Sequence, residues 1–224
     1  MKTFLFIGAN SDIALAAKKQ LEQQGHKVIC VTRALSESLP DALLGNPVTN
    51  ELPNIEEPLD GLVYFPGSIL LKPFRSLKQA DFQREIEVNV LGAIHAIQHY
   101  QSNLKVDSSI VLFSTVAVQT GMPFHSAVAV AKGAVEGLTR SLAAEFAPKI
   151  RVNCIAPSLT DTKLAQKFLS TPEKHEASAQ RHPLKKVGST ADLANALVFL
   201  VSEQSAWITG QVLQIDGGMS ALRM

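Results

Sequence analysis

The sequence predicts an α/β fold: a parallel, doubly wound sheet of about seven strands with helices on both faces. Three observations predict it. Short runs rich in Val, Ile, Leu and Phe alternate with segments of helical period along the whole chain. Those runs are apolar at nearly every position instead of every second one, which marks strands buried on both faces. Repeated strand–helix–strand order then closes through right-handed crossovers onto a parallel sheet. With 224 residues and no linker, repeat or low-complexity tract, the chain is expected to form a single domain over 1–224.

Each element has its own signal. Thr3–Ile7 is the first strand, and Gly8-Ala9-Asn10-Ser11-Asp12-Ile13-Ala14 is a tight turn feeding a helix over 12–24. Gly25 stands where helices end on a left-handed residue. Lys27–Thr32 is the second strand, with Arg33 just past it. Between 33 and 60 come Pro40, Pro47, Pro53 and Pro58, and the segment is too short for a full helix–strand–helix, so a trimmed crossover is expected. The next strand covers 61–65. A long helical stretch, in one or two pieces, covers 77–101, with Ser76 and Gln79 at capping-box spacing. A strand over 109–113 precedes a helix over 125–146 that stops before Pro148, and a strand over 151–155 follows. Thr190–Val201 is helical, capped by Ser189 or Thr190, and Val212–Ile215 is the last strand.

Composition excludes several classes. Hydrophobic residues make up 46% and charged residues 18%, with a formal net charge of +1 and no basic tail, so neither nucleic acid nor a membrane surface is an expected partner. No apolar run nears the roughly 20 residues of a membrane span. The apolar start of the chain ends at Gly8, too soon for a secretory signal. Cys30 and Cys154 fall in strands, where reduced buried thiols act as small hydrophobes, and a cytoplasmic location is expected.

The first turn offers backbone N–H groups and the positive end of a helix, which suits a pyrophosphate held at Gly8, Asn10, Ser11, Asp12 and Ile13. A plain capped helix start is the competing reading. Arg33 stands where NAD-binding folds carry an acid for the ribose 2′-hydroxyl, and an arginine suits a 2′-phosphate instead. The expected coenzyme is therefore NADP(H), with NAD(H) second. A solvated loop arginine is the alternative for that residue.

Lys132 lies in an apolar, small-residue segment, Ser126-Ala127-Val128-Ala129-Val130-Ala131-Lys132-Gly133-Ala134-Val135. A lone charge there is costly to bury without a partner. The segment resembles the active-site helix of the short-chain dehydrogenases/reductases, whose Tyr-x-x-x-Lys motif sets a proton donor one turn before a lysine. The resemblance runs through nearly the whole chain and is weakest between 33 and 60. It implies a Rossmann-like fold, a nicotinamide coenzyme and a small carbonyl or alcohol substrate. It also implies a homodimer or homotetramer built on the helix that carries Gly133 and Gly137.

The resemblance assigns roles residue by residue. Lys132 would hold the nicotinamide ribose, and Asn89, in Glu87-Val88-Asn89-Val90-Leu91-Gly92, would hold a water in a proton relay. Thr115 would bind the substrate carbonyl, although a strand-end residue of good β propensity explains it equally well. Gly67 matches the last residue of the family's Asn-Asn-Ala-Gly and lets the chain pass close to the coenzyme. Pro157 and Thr162 match the family's Pro-Gly-x-x-x-Thr, and residues 162–186 would form a substrate lid. The departures are Asp12 and Ala14 for two turn glycines, Ser158 for the glycine after Pro157, and above all Val128 for the tyrosine.

Valine can neither give nor take a proton, and losing general acid–base help costs about 10²–10⁴-fold in rate. His125, three residues before Val128, is the candidate substitute if the helix already includes it, so that His125, Val128 and Lys132 share one face. Two functions follow: an NADP(H)-dependent oxidoreductase with impaired or rerouted proton transfer, or a non-catalytic dinucleotide-binding protein.

Overall fold

The computed structural model describes residues 1–223. In chain order the elements are β1 (Thr3–Ile7), α1 (Asp12–Gln23), β2 (Lys27–Thr32), β3 (Leu43–Leu44) and β4 (Leu59–Tyr64). There follow α2 (Gln79–Ile86), a π-helical turn at Glu87–Leu91, α3 (Gly92–Tyr100), β5 (Leu104–Phe113) and a short α4 (Ala117–Thr120). The chain closes with α5 (Ser126–Phe146), β6 (Ile150–Pro157), α6 (Pro172–Gln180), α7 (Thr190–Val201) and β7 (Val212–Ile215).

All seven strands pair in parallel, in the order β3-β2-β1-β4-β5-β6-β7. The two core layers can be traced to single residues of β1. Phe4 and Phe6 turn to one face, packing with Ala14, Ala17 and Leu21 of α1 and Leu193 and Leu197 of α7. Leu5 and Ile7 turn to the other, with Ala93 and Ala96 of α3 and Val135 and Ala143 of α5. Strand alternation thus feeds both layers, which is why the run is apolar at every position. Each such side chain contributes about 1.5–3 kcal/mol on burial.

The segment between 33 and 60 contributes only the two-residue β3, so the crossover is trimmed as expected. The helical stretch over 77–101 is broken at the π turn. Tyr64 donates its hydroxyl to the Val88 carbonyl at 2.6 Å, and Asn89 Nδ2 donates to the Glu85 carbonyl at 2.8 Å. Side chains hold these carbonyls where the helix register slips, and such π turns occur often at functional sites. The expected start at Ser76 is corrected: Ser76 lies in a preceding 3₁₀ turn, α2 begins at Gln79, and Asp81 takes the Lys78 N–H at 2.9 Å. At α7 the expected cap holds, with Ser189 Oγ accepting from Asp192 N at 3.1 Å and Asp192 accepting from Ser189 N at 2.9 Å. Both cysteines are buried and unbonded. Among the described residues, no helix is long and apolar enough to cross a membrane.

Candidate active site

The strand order reverses between β1 and β4, where open parallel sheets leave a crevice beyond the carboxyl ends of their strands. A cleft of about 1000 Å³ opens there, at the upper end of the range for ligand sites. Every candidate catalytic or coenzyme-binding residue lines it except Asn89, which lies buried behind it.

One half of the cleft suits phosphates. Gly8 has φ +76°, and a Cβ on it would come within 2.8 Å of the Pro66 ring, so only glycine allows the turn to pass under that loop. The backbone N–H groups of Asp12, Ile13 and Ala14 find no partner among the described residues, which leaves the start of α1 open to an anion. Ser11 is the N-cap but its side chain makes no capping bond. Asn10 ties the turn to the loop after β2: its Nδ2 donates to Ala34 O at 2.8 Å and its Oδ1 accepts from Ser36 Oγ at 2.8 Å. That bracing sets the exposed Arg33 at the rim of the same cleft.

Asp12 does not cap its own helix. Its carboxylate accepts from the backbone N–H of Lys163 at 2.6 Å, and the Lys163 ammonium lies 3.7 Å away. The charge that would oppose a phosphate is turned toward residues 162–186. Within that segment Thr162 Oγ1 accepts from Ala165 N at 3.3 Å, and Thr171 caps α6 ahead of Pro172.

The other half gathers the chemical residues. Lys132 is 7% exposed, and its Nζ donates to Phe113 O at 2.8 Å. Burial pulls its pKa down to about 8, against the charges of Cys154 and Glu85. Burial also pushes the Cys154 thiol up to about 12, so near neutral pH it carries no charge and Glu85 is the effective counter-charge. Asn89 is buried in the π turn, with Nδ2 engaged by Glu85 and Oδ1 lacking any hydrogen-bond partner. A Cβ placed on Gly67 would lie 3.4 Å from both Asn89 Oδ1 and Lys132 Nζ. The absent side chain therefore keeps a gap between a bare acceptor and a cation. Lys132 lines the cleft and can donate to ribose hydroxyls, whereas Asn89 Oδ1 lies buried behind Gly67.

Thr115 follows β5 and lines the cleft, its hydroxyl 3.5 Å from Pro157 O and accepting from Ala117 N at 3.3 Å. Both bonds are long, so the hydroxyl is lightly held. Val128 sits one turn before Lys132, 5% exposed, and brings no polar group to the cleft. The helix begins at Ser126 with His125 as its N-cap, outside the helix proper. The shared-face arrangement for His125 is corrected accordingly, because His125 has φ −97° and ψ 7° and its Nδ1 is bound to Pro123 O at 2.7 Å.

Further polar groups line the cleft, among them Ser68, Ser158 and His182. Ser68 Oγ donates to Glu85 Oε2 at 2.8 Å. Ser158 Oγ pairs with His182 Nε2 at 2.8 Å, while His182 Nδ1 lies 2.9 Å from Ser178 O, which makes Nδ1 the donor and Nε2 the acceptor. No sequence signal marks the first pair, because Glu85 stands among other charges on α2.

Comparisons with known proteins agree with this geometry. The profile of a family described as Enoyl-(Acyl carrier protein) reductase matches residues 47–220. Human L-xylulose reductase is 32% identical over 97% of this chain and 96% of its own length. Pig carbonyl reductase [NADPH] 2 is 30% identical with the same coverage. Among solved structures, a short chain dehydrogenase family protein from Francisella tularensis superposes with TM-score 0.89 at 26% identity, covering 99% of this chain and 100% of that one. ElxO with NADP bound gives TM-score 0.84 at 27% identity, with the same coverage.

Proposed function

The chain belongs to the short-chain dehydrogenase/reductase family, and on that premise we propose that it is an NADP(H)-dependent oxidoreductase acting on a small carbonyl or alcohol. The observation that carries the reading is the gap at Gly67, between the orphaned Asn89 Oδ1 and the buried Lys132 ammonium. A buried cation and a bare acceptor are both costly unless a ligand completes them.

The residues divide the work. The start of α1 and Gly8 hold the pyrophosphate, and Arg33 takes the 2′-phosphate. Lys132 donates to the nicotinamide ribose. Thr115 donates to the substrate oxygen, and Pro157 and Thr162 border the nicotinamide end, with 162–186 closing over the substrate. The nicotinamide, when bound, supplies the hydride chemistry. Residue 128 takes no part in proton transfer, so the proton moves through another cleft residue or through water. His125 at the mouth of α5 is one candidate. NADPH is also named for the pig relative, and ElxO has NADP bound, which supports this choice of coenzyme.

Small and apolar residues on the outer face of α5, including Val130 and Gly137, support a second copy packing there as a homodimer or homotetramer; sedimentation equilibrium tests it. The test of the function itself is NADPH oxidation across a panel of aldehydes, ketones and keto-sugars, together with NADP⁺ reduction across the matching alcohols. Turnover supports an enzyme. Coenzyme binding without turnover supports the second reading, a silent dinucleotide-binding protein, which Val128 favours.

A further inference from the structure

Glu85 presents the least expected side chain of the core. It is 2% exposed on α2, a position where an aliphatic residue would pack at no electrostatic cost. An isolated buried carboxylate costs several kcal/mol, so its retention requires partners. It has three. Ser68 Oγ donates to Oε2 at 2.8 Å, Asn89 Nδ2 donates to the same oxygen at 3.2 Å, and the charge of Lys132 acts on it from α5. By engaging Nδ2, Glu85 also fixes which way the Asn89 amide points and leaves Oδ1 facing the Gly67 gap. Ser68, next to Gly67, lines the cleft that Val128 and Lys132 line. The arrangement is a carboxylate joined through one hydroxyl to the chamber that lacks a phenol.

We propose that Ser68 and Glu85 form the proton path of this site, with Ser68 the catalytic hydroxyl that meets the substrate oxygen and Glu85 the positioning residue and proton acceptor behind it. This rests on the oxidoreductase reading above. In the oxidative direction, the substrate O–H bond breaks and its proton joins Ser68 Oγ as Ser68 passes its own proton to Glu85 Oε2. A nicotinamide held in the cleft would accept the hydride from the same carbon, which balances the two electrons lost as the C=O bond forms. Glu85 ends as a neutral acid and returns its proton through Ser68 to water in the open cleft between turnovers. Carbonyl reduction runs the same transfers in reverse. The Lys132 ammonium stays charged and steadies the carboxylate.

The test uses the full-length chain and the variants Ser68→Ala, Ser68→Thr and Glu85→Gln. NADPH affinity, read by coenzyme fluorescence, is expected to stay within about threefold in all three, showing that each folds and binds. Ser68→Ala and Glu85→Gln are expected to lower kcat by about 10²-fold or more, while the conservative Ser68→Thr, which keeps a hydroxyl, restores most of the loss. Glutamine preserves the size and a polar contact but cannot take the proton, so a purely structural Glu85 would survive that change. Independently of turnover, infrared difference spectra of the coenzyme-free chain on acidification should contain a neutral carboxylic acid band that Glu85→Gln removes. Wild-type turnover that survives Glu85→Gln or Ser68→Ala overturns the proton path and leaves the function standing. No turnover by the wild type on any panel member overturns the function, and the path with it. Identical infrared spectra for wild type and Glu85→Gln overturn the path on their own.

Discussion

Asp12 and Lys163 meet at the cleft: the carboxylate at the first residue of α1 accepts the Lys163 backbone N–H at 2.6 Å across 151 positions of sequence. The contact ties the carboxylate at the start of α1 to the segment over 162–186. Replacing Asp12 by Asn keeps an acceptor and removes the charge. NADPH should then bind roughly threefold to tenfold tighter, as expected for about 1 kcal/mol of screened charge. Asp12→Ala removes the anchor as well, and limited proteolysis should cut faster within 162–186. Unchanged affinity for Asp12→Asn would mean the carboxylate does not sense the phosphates.

Lys132 carries a stability cost with a definite sign. Its folded pKa of about 8 lies below the ordinary lysine value of 10.5. Below pH 8 the folded state holds an unfavourable charge that the unfolded chain holds at no cost. As pH rises from 8 to 10.5 the unfolded state binds more protons, so this group's contribution to stability improves over that window. The full penalty is about 3 kcal/mol. Lys132→Met should therefore raise the melting temperature of the coenzyme-free chain by several degrees at pH 7, while weakening NADPH binding at least tenfold. A destabilised variant would show that the ammonium is fully compensated by Glu85 and Phe113 O.

Val128→Tyr tests the proton path from the opposite side. Val128 borders the cleft, so a phenol there can extend into open space. In the Ser68→Ala background, stopped-flow NADPH oxidation should recover by roughly 10²-fold when Tyr is added at 128. No recovery would place the defect of Ser68→Ala somewhere other than proton transfer.

Arg33 should set the choice of coenzyme. Its guanidinium is exposed at the cleft rim, and a charge-assisted contact to a phosphate contributes about 1.5–3 kcal/mol. Arg33→Ala should weaken NADPH by about 10–100-fold and leave NADH within a factor of two in the same fluorescence titration. Equal losses for both coenzymes would assign Arg33 a structural role.

The strands and helix ends are legible in the chain because they follow local rules. Continuous apolar runs give Thr3–Ile7 and its neighbours, Gly25 ends α1, and Ser189 caps α7. The two-residue β3 is too short to stand out among prolines. Ser76 misleads because its spacing to Gln79 mimics a cap that Asp81 and Lys78 make instead. Lys132 announces itself as a charge among alanines and valines, whereas Glu85 sits in Gln83-Arg84-Glu85-Ile86-Glu87, where a carboxylate looks like one more exposed helical charge. Only the packing of α2 against α5 turns it inward. Ser158 and His182 meet for the same reason, brought from 24 positions apart by the return of the chain after α6.

The most direct measurement is a thermal-shift titration of wild type and Lys132→Met with NADPH and NADH. Saturating NADPH, at a hundred times its Kd, should raise the wild-type midpoint by about 5–10 °C, NADH should do less at equal concentration, and neither should move Lys132→Met to the same extent. A wild-type midpoint indifferent to both coenzymes would contradict the account.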